Sequence, residues 1–133
     1  MRGLIVVLII GFASPLAQAD DLGQTPQEQQ ALVHLDRGEY KGARRLAEES
    51  LSTVDTFIAN FVLGVVHAEG EGNLARGLYF LQRAKKMLLA DEGSPPKSPD
   101  ARRWHKRVLL REQAIYGMMD RRDQQLNALD QYD

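Results

Sequence analysis

The sequence predicts an all-α fold: a short α-solenoid of about three helix-turn-helix repeats behind an N-terminal signal peptide. Three observations predict it. From Asp20 onward no stretch alternates apolar and polar residues as a half-buried strand does. Apolar residues instead return at three- and four-residue spacing, as in Leu32 and Leu35, Leu46 with Ser50, and Leu78, Leu81 and Leu88, which is helical periodicity. Finally, turns recur at Gly38-Glu39-Tyr40, Gly72-Asn73-Leu74 and Asp120-Arg121-Arg122, 34 and 48 residues apart, and such a period marks stacked helix pairs.

The elements follow in chain order. Met1-Arg2-Gly3 carries one arginine, Leu4 to Phe12 is almost wholly aliphatic, and Ala17-Gln18-Ala19 precedes the acidic pair Asp20-Asp21. That layout predicts a signal peptide over residues 1–19 and a mature domain over 20–133, because the apolar run falls well short of the roughly 20 residues that span a bilayer. An uncleaved N-terminal anchor is the alternative. Thr25-Pro26-Gln27-Glu28 predicts a capping box, with Glu28 reaching back to the backbone N–H of Thr25. The first helix starts there and breaks at Gly38. A second helix is expected from about Tyr40 to Ser52 and a third from about Thr53 to Glu69. Gly70-Glu71-Gly72 then stops the chain, and Asn73 caps a fourth helix running to about Leu89. Residues 90–97, with Pro95-Pro96, form a loop, and Ser98-Pro99-Asp100 opens a fifth helix to about Met119. A sixth is expected from about Arg121 to Tyr132. The helices pair into repeats over about 26–52, 53–89 and 98–132.

Composition narrows the function classes. Removing the signal leaves about 114 of 133 residues, one small domain rather than a two-domain enzyme. The absence of cysteine excludes a disulfide framework, a thiolate zinc site, a cysteine nucleophile, an iron–sulfur cluster and an acylated N-terminal cysteine. A formal charge of −1 provides no global field toward nucleic acid or an anionic membrane.

The repeat resembles the tetratricopeptide repeat family. Leu63-Gly64 followed by His67 stands where that family has Leu-Gly and a tyrosine, and Leu81 and Ala84 fill the later apolar and small positions. Ala31, His34, Ala43, Ala47 and Ser50 match in the first unit, and Tyr116 and Leu129 in the third. Departures are Gln27, Asn60 and Leu109, where tryptophan is usual, and Gln125, where a small residue is usual. The middle unit also has Sel1-like character. The resemblance covers about residues 26–132. It implies that the first helix of each pair lines a peptide- or helix-binding groove. Carried over residue by residue, the groove comprises Glu28, Leu32 and Leu35, then Phe61, Val65 and Glu69, then Arg107, Leu110 and Ala114. The competing reading places Leu32, Phe61 and Val65 in the core, where apolar helix stripes usually lie.

Catalytic motifs find little purchase. Gly70-Glu71-Gly72-Asn73-Leu74-Ala75, with Asp91 further on, fits a dinucleotide fingerprint, but no second strand follows and a turn between helices is the better reading. His34, His67 and His105 are the only histidines. Equivalent places in neighbouring repeats would separate the first two by about 8–10 Å or more, too far to share a metal. No general acid and base pair, cofactor site or metal site is predicted.

One feature stands apart. Lys97, Arg102, Arg103, Lys106, Arg107 and Arg111 face a single acid, Asp100, within 15 residues that also hold Trp104 and His105. Arg102, Arg103, Lys106 and Arg107 form a basic patch able to meet an acidic partner or an anionic lipid surface, while Trp104 and Val108 fall on the opposite, apolar face. No extra polar helix of the kind that covers the end of such arrays follows the last repeat, so Leu126, Leu129 and Tyr132 are expected to be covered by a partner, by self-association or by further sequence beyond Asp133. The expected function is that of an exported, non-catalytic adaptor, periplasmic or secreted, binding a protein of the cell envelope. No nucleic acid and at most peripheral membrane contact are expected. The alternative is a membrane-surface or anion-binding module built on residues 101–111.

Overall fold

The computed structural model describes residues 24–130, which form five helices and, among the described residues, no strand. The predicted signal peptide and Tyr132 lie outside the described residues, as does the side chain of Leu129. Helix α1 spans Pro26–Asp36 and opens on the capping box: the Glu28 N–H donates to Thr25 Oγ1 at 3.1 Å and the Thr25 N–H to Glu28 Oε1 at 3.0 Å. Gly38, at φ +73°, turns the chain into α2, Tyr40–Thr53. Helix α3, Phe57–Val65, continues as a π-turn over Val66–Gly70. Helix α4 spans Leu74–Glu92 with Asn73 Oδ1 accepting from the Arg76 N–H, and α5 spans Pro99–Asp130 with Ser98 Oγ accepting from the Ala101 N–H.

Successive helices pack on one another, and α1 also reaches α3. Bonds between them fix antiparallel courses: Lys85 with Glu112 and Gln82 with Tyr116 join α4 to α5. Helix α3 sits at the centre. All nine of its residues are buried, so it has no polar face and needs neighbours on every side. Trp104 of α5 meets Phe57 and Phe61 edge-on, with ring centroids 5.5 and 5.2 Å apart, the favoured geometry for aromatic pairs.

At the α3–α4 crossing the two helices come very close. A Cβ on Gly77 would lie 2.7 Å from Ala68 Cβ and 2.8 Å from the Gly64 carbonyl oxygen, and one on Gly64 would lie 2.7 Å from Leu81 Cγ. The two backbones therefore touch, and neither glycine admits a side chain. At one end of the core a buried carboxylate joins three helices. Glu28 Oε2 accepts from Ser50 Oγ of α2 at 3.0 Å and from the hydroxyl of Thr56, whose Oγ1 in turn caps α3 by accepting from the Ala59 N–H at 3.2 Å. These bonds satisfy a group whose burial alone would be costly.

Three expectations need correction. The third helix begins at Phe57, not Thr53, because Thr56 caps it while Val54 is extended. The fourth continues to Glu92, where Gly93 at φ +93° ends it. Most consequentially, the expected fifth and sixth helices are one helix through Asp130, so the segment 98–132 does not form a helix-turn-helix pair within the described residues. Asp120-Arg121-Arg122-Asp123 contains neither proline nor glycine, and nothing there opposes continuation.

Two glycine substitutions separate close approach from propensity. Gly77→Ala is expected to destabilise by about 1–3 kcal/mol, since backbone atoms cannot yield to the added methyl. Gly117→Ala in α5, whose Cβ would find only Arg121 at 3.8 Å, is expected to stabilise by about 0.5–1 kcal/mol. Urea unfolding followed by far-UV circular dichroism measures both, and equal effects would contradict the crossing.

Candidate functional site

The predicted groove residues divide into two sets. Glu28, Leu35, Phe61 and Val65 are buried and do not line an open surface. Glu28 serves the capping network. Phe61 lies under Trp104 and the Arg107 guanidinium, and Val65 belongs to the all-buried helix α3. Leu32 packs partly against the core. A charge placed at Phe61 would therefore test stability and not binding. Glu69, Leu110 and Ala114 are exposed, with Leu110 60% exposed, and Arg107 is half-buried.

Around Arg107 the remaining set forms a coherent surface. Its guanidinium carbon lies 4.2 Å from the Trp104 ring centroid and 5.2 Å from that of Phe61. The ring faces hold the cation by electrostatic attraction, while Leu110 and Ala114 follow at helical spacing on the same side of α5. Arg111 pairs with Glu69, which also accepts from the Tyr40 hydroxyl at 3.4 Å, tying this side of α5 to α2 and to the end of α3. A pre-ordered cation beside an exposed leucine suits an anchor contact with another protein.

The basic patch is partly committed internally. Arg102 donates to the Lys97 carbonyl at 2.7 Å and Arg103 pairs with Asp100 at 2.6 Å. Arg107 stacks as described, whereas Lys106 is exposed. Trp104 and Val108 face the core.

The π-turn carries a polar cluster. His67 is buried, stacked on Phe80 with centroids 5.3 Å apart. Its Nε2 receives the Arg76 Nε–H at 3.4 Å, and its Nδ1 lies 2.9 Å from Glu71 Oε1. Because an arginine Nε can only donate, we assign the ring proton to Nδ1, which donates to Glu71. Glu71 also pairs with Arg44, which reaches Glu48 at 3.1 Å. With both ring nitrogens engaged, His67 clamps the turn and holds no position open for a substrate or a metal. Among the described residues no group of three or more histidine or acidic side chains is placed to hold a metal ion.

A surface that the sequence reading overlooked runs along α4. Arg76, Tyr79, Phe80 and Arg83 face Leu51 and Asp55 across a shallow depression of about 490 Å³. Tyr79, 56% exposed, meets Phe80 edge-on, and Arg83 pairs with Asp55. The adjacent aromatics at positions 79 and 80 were the available signal, since two neighbours on a helix cannot both face the core.

A comparison with protein-family models, curated proteins and solved structures finds no match for this chain. Among the described residues no helix is long and apolar enough to cross a membrane.

The cluster gives stability a pH dependence of defined sign. The hydrogen bond from His67 is the main cause that holds the Glu71 carboxyl below its ordinary value of 4.5, with the charge of Arg44 adding. A carboxyl lowered in the folded state stabilises fully above its unfolded value and loses that contribution as pH falls through the folded value. Glu71→Gln should therefore flatten the acid limb of the stability profile below about pH 4.5. Unfolding midpoints measured between neutral and acid pH check this, and parallel profiles for the two proteins would contradict it.

Proposed function

We propose that this chain is an exported, non-catalytic interaction scaffold: a short tetratricopeptide-like solenoid that holds a protein segment of the cell envelope against α5. The observation that carries the reading is the surface of Arg107, Leu110 and Ala114, where a cation fixed over Trp104 and Phe61 sits beside a leucine 60% exposed. The antiparallel pairs α1–α2 and α3–α4, the Gly64–Gly77 contact and the 34-residue spacing of the Gly38 and Gly72 turns support the repeat reading. The third unit then supplies a single long helix instead of a pair.

The binding surface proposed is narrower than the groove inferred from resemblance. It retains Arg107, Leu110 and Ala114, with Glu69 at its margin through Arg111, and omits the partly buried Leu32 and the buried Glu28, Leu35, Phe61 and Val65. The anion-binding alternative carries less weight, because Arg102 and Arg103 already engage the carbonyl of Lys97 and the carboxylate of Asp100. Export rests on residues 1–19 of the sequence.

The test is co-purification from the native envelope. Leu110→Asp should remove the bound protein while leaving the far-UV spectrum and the unfolding midpoint unchanged, since the side chain is exposed and surface changes cost little. The accumulated protein should begin at Asp20. Partner capture undiminished by Leu110→Asp would overturn the surface, and a protein that retains Met1 would overturn the cleaved signal.

A further inference from the structure

The missing turn at Asp120 leaves two surfaces open, and they are complementary. The first is a furrow on the outside of α4 and α5. Tyr79, Gln82 and Lys86 follow one another at three- and four-residue steps on α4, and Leu109, Gln113 and Tyr116 do so on α5. Gln82 and Tyr116 bridge the furrow at 3.3 Å. Tyr79, Leu109 and Tyr116 are 56%, 39% and 45% exposed. Two antiparallel helices with such stripes form a seat for a third helix. Lys86 and Lys106 are exposed along the furrow, and the exposed acids nearest to it, Asp91 and Asp120, stand at its two ends.

The second surface is the end of α5. Lys85–Glu112 and Gln82–Tyr116 set the register of α4 on α5, and by that register Leu74, the first residue of α4, lies opposite about residue 123. Arg122 still reaches the body, donating to the Gly72 carbonyl at 3.1 Å. Beyond it Leu126 is 60% exposed, although it lies eleven residues, or about three turns, after the buried Ile115 and so continues the core-facing stripe. From residue 123 to 130 the sequence holds Asp123 and Asp130 and no cation.

We propose that the acidic segment 123–130 of one copy docks on the α4–α5 furrow of a second copy, with Leu126 against Leu109 and Tyr116, in a reciprocal two-fold dimer. A segment cannot reach its own furrow, because α5 runs without a turn through Asp130 and carries it away from α4. A second copy supplies an acidic segment with an exposed leucine that the furrow fits, and a reciprocal two-fold contact of this kind closes the assembly. This deepens the scaffold reading by naming one partner. Leu110 lies off the furrow stripe, so the dimer and the envelope partner succeed or fail separately.

The experiment uses the chain as it accumulates after expression from Met1, with molar mass measured by light scattering over about two decades of concentration. Wild type should pass from monomer to dimer, with a dissociation constant that rises on the order of tenfold from low to high salt. Leu126→Lys should remain monomeric, as should the double variant Lys86→Glu with Lys106→Glu and the double variant Asp123→Lys with Asp130→Lys, each with unchanged helicity. Mixing the last two should restore a dimer, because each tail then faces a furrow of opposite charge. A monomeric wild type, dimers that survive either charge reversal, or a mixture that stays monomeric would overturn the proposal.

Discussion

The backbone contact between Gly64 and Gly77 is the constraint on which the rest of the structure depends. Helix α3 is only nine residues long and wholly buried, too short to be stable alone. It persists because α4 approaches closely enough for the two glycines to touch, which brings Leu81 and Ala84 onto Phe61 and its neighbours in one continuous core. Each large buried side chain of α3 contributes about 1.5–3 kcal/mol only while this packing excludes water. The remaining helices complete the enclosure, α1 and α2 on one side and α5 with Trp104 on the other.

Polar groups finish what the apolar contacts begin. Glu28 links the starts of α1 and α3 to the end of α2 through Thr25, Thr56 and Ser50. At the opposite end of α3 the π-turn lets the Glu71 N–H bond the Val66 carbonyl at 3.1 Å and brings His67 between Glu71 and Arg76. Both ends of the buried helix are thus closed by side chains from other elements. The surfaces left over fall largely on α5, which packs Trp104, Val108 and Ile115 inward and presents Leu110 and Leu109 on two separate outward sides.

Local signals in the sequence were the legible ones. Thr25 with Glu28, Asn73 and Ser98 each lie beside the backbone they cap, so four residues sufficed to place three helix starts. The start of α3 is not legible locally, because Thr56, which caps it, is also bonded through its hydroxyl to Glu28, 28 residues away in the chain. A break at Asp120 follows from the repeat spacing alone, whereas the local composition favours one continuous helix. The groove failed at Phe61 and Val65 for a different reason. A helix that is apolar all round has no periodicity to show which side faces out, and the cover over Phe61 comes from Trp104 and Arg107, more than 40 residues later. The exposed half of the site, Arg107, Leu110 and Ala114, sits on an amphipathic helix whose two sides could be told apart.

Native-state amide hydrogen exchange tests the central claim most directly, because it reads the opening free energy of each helix in the intact protein. If α3 is the element on which the others depend, the amides of Ala59 to Val65 exchange only through global unfolding, with protection matching the unfolding free energy. The amides of α1 and of α5 beyond Arg122 should exchange through smaller local openings. Protection in α3 equal to or below that of α1 would contradict the account.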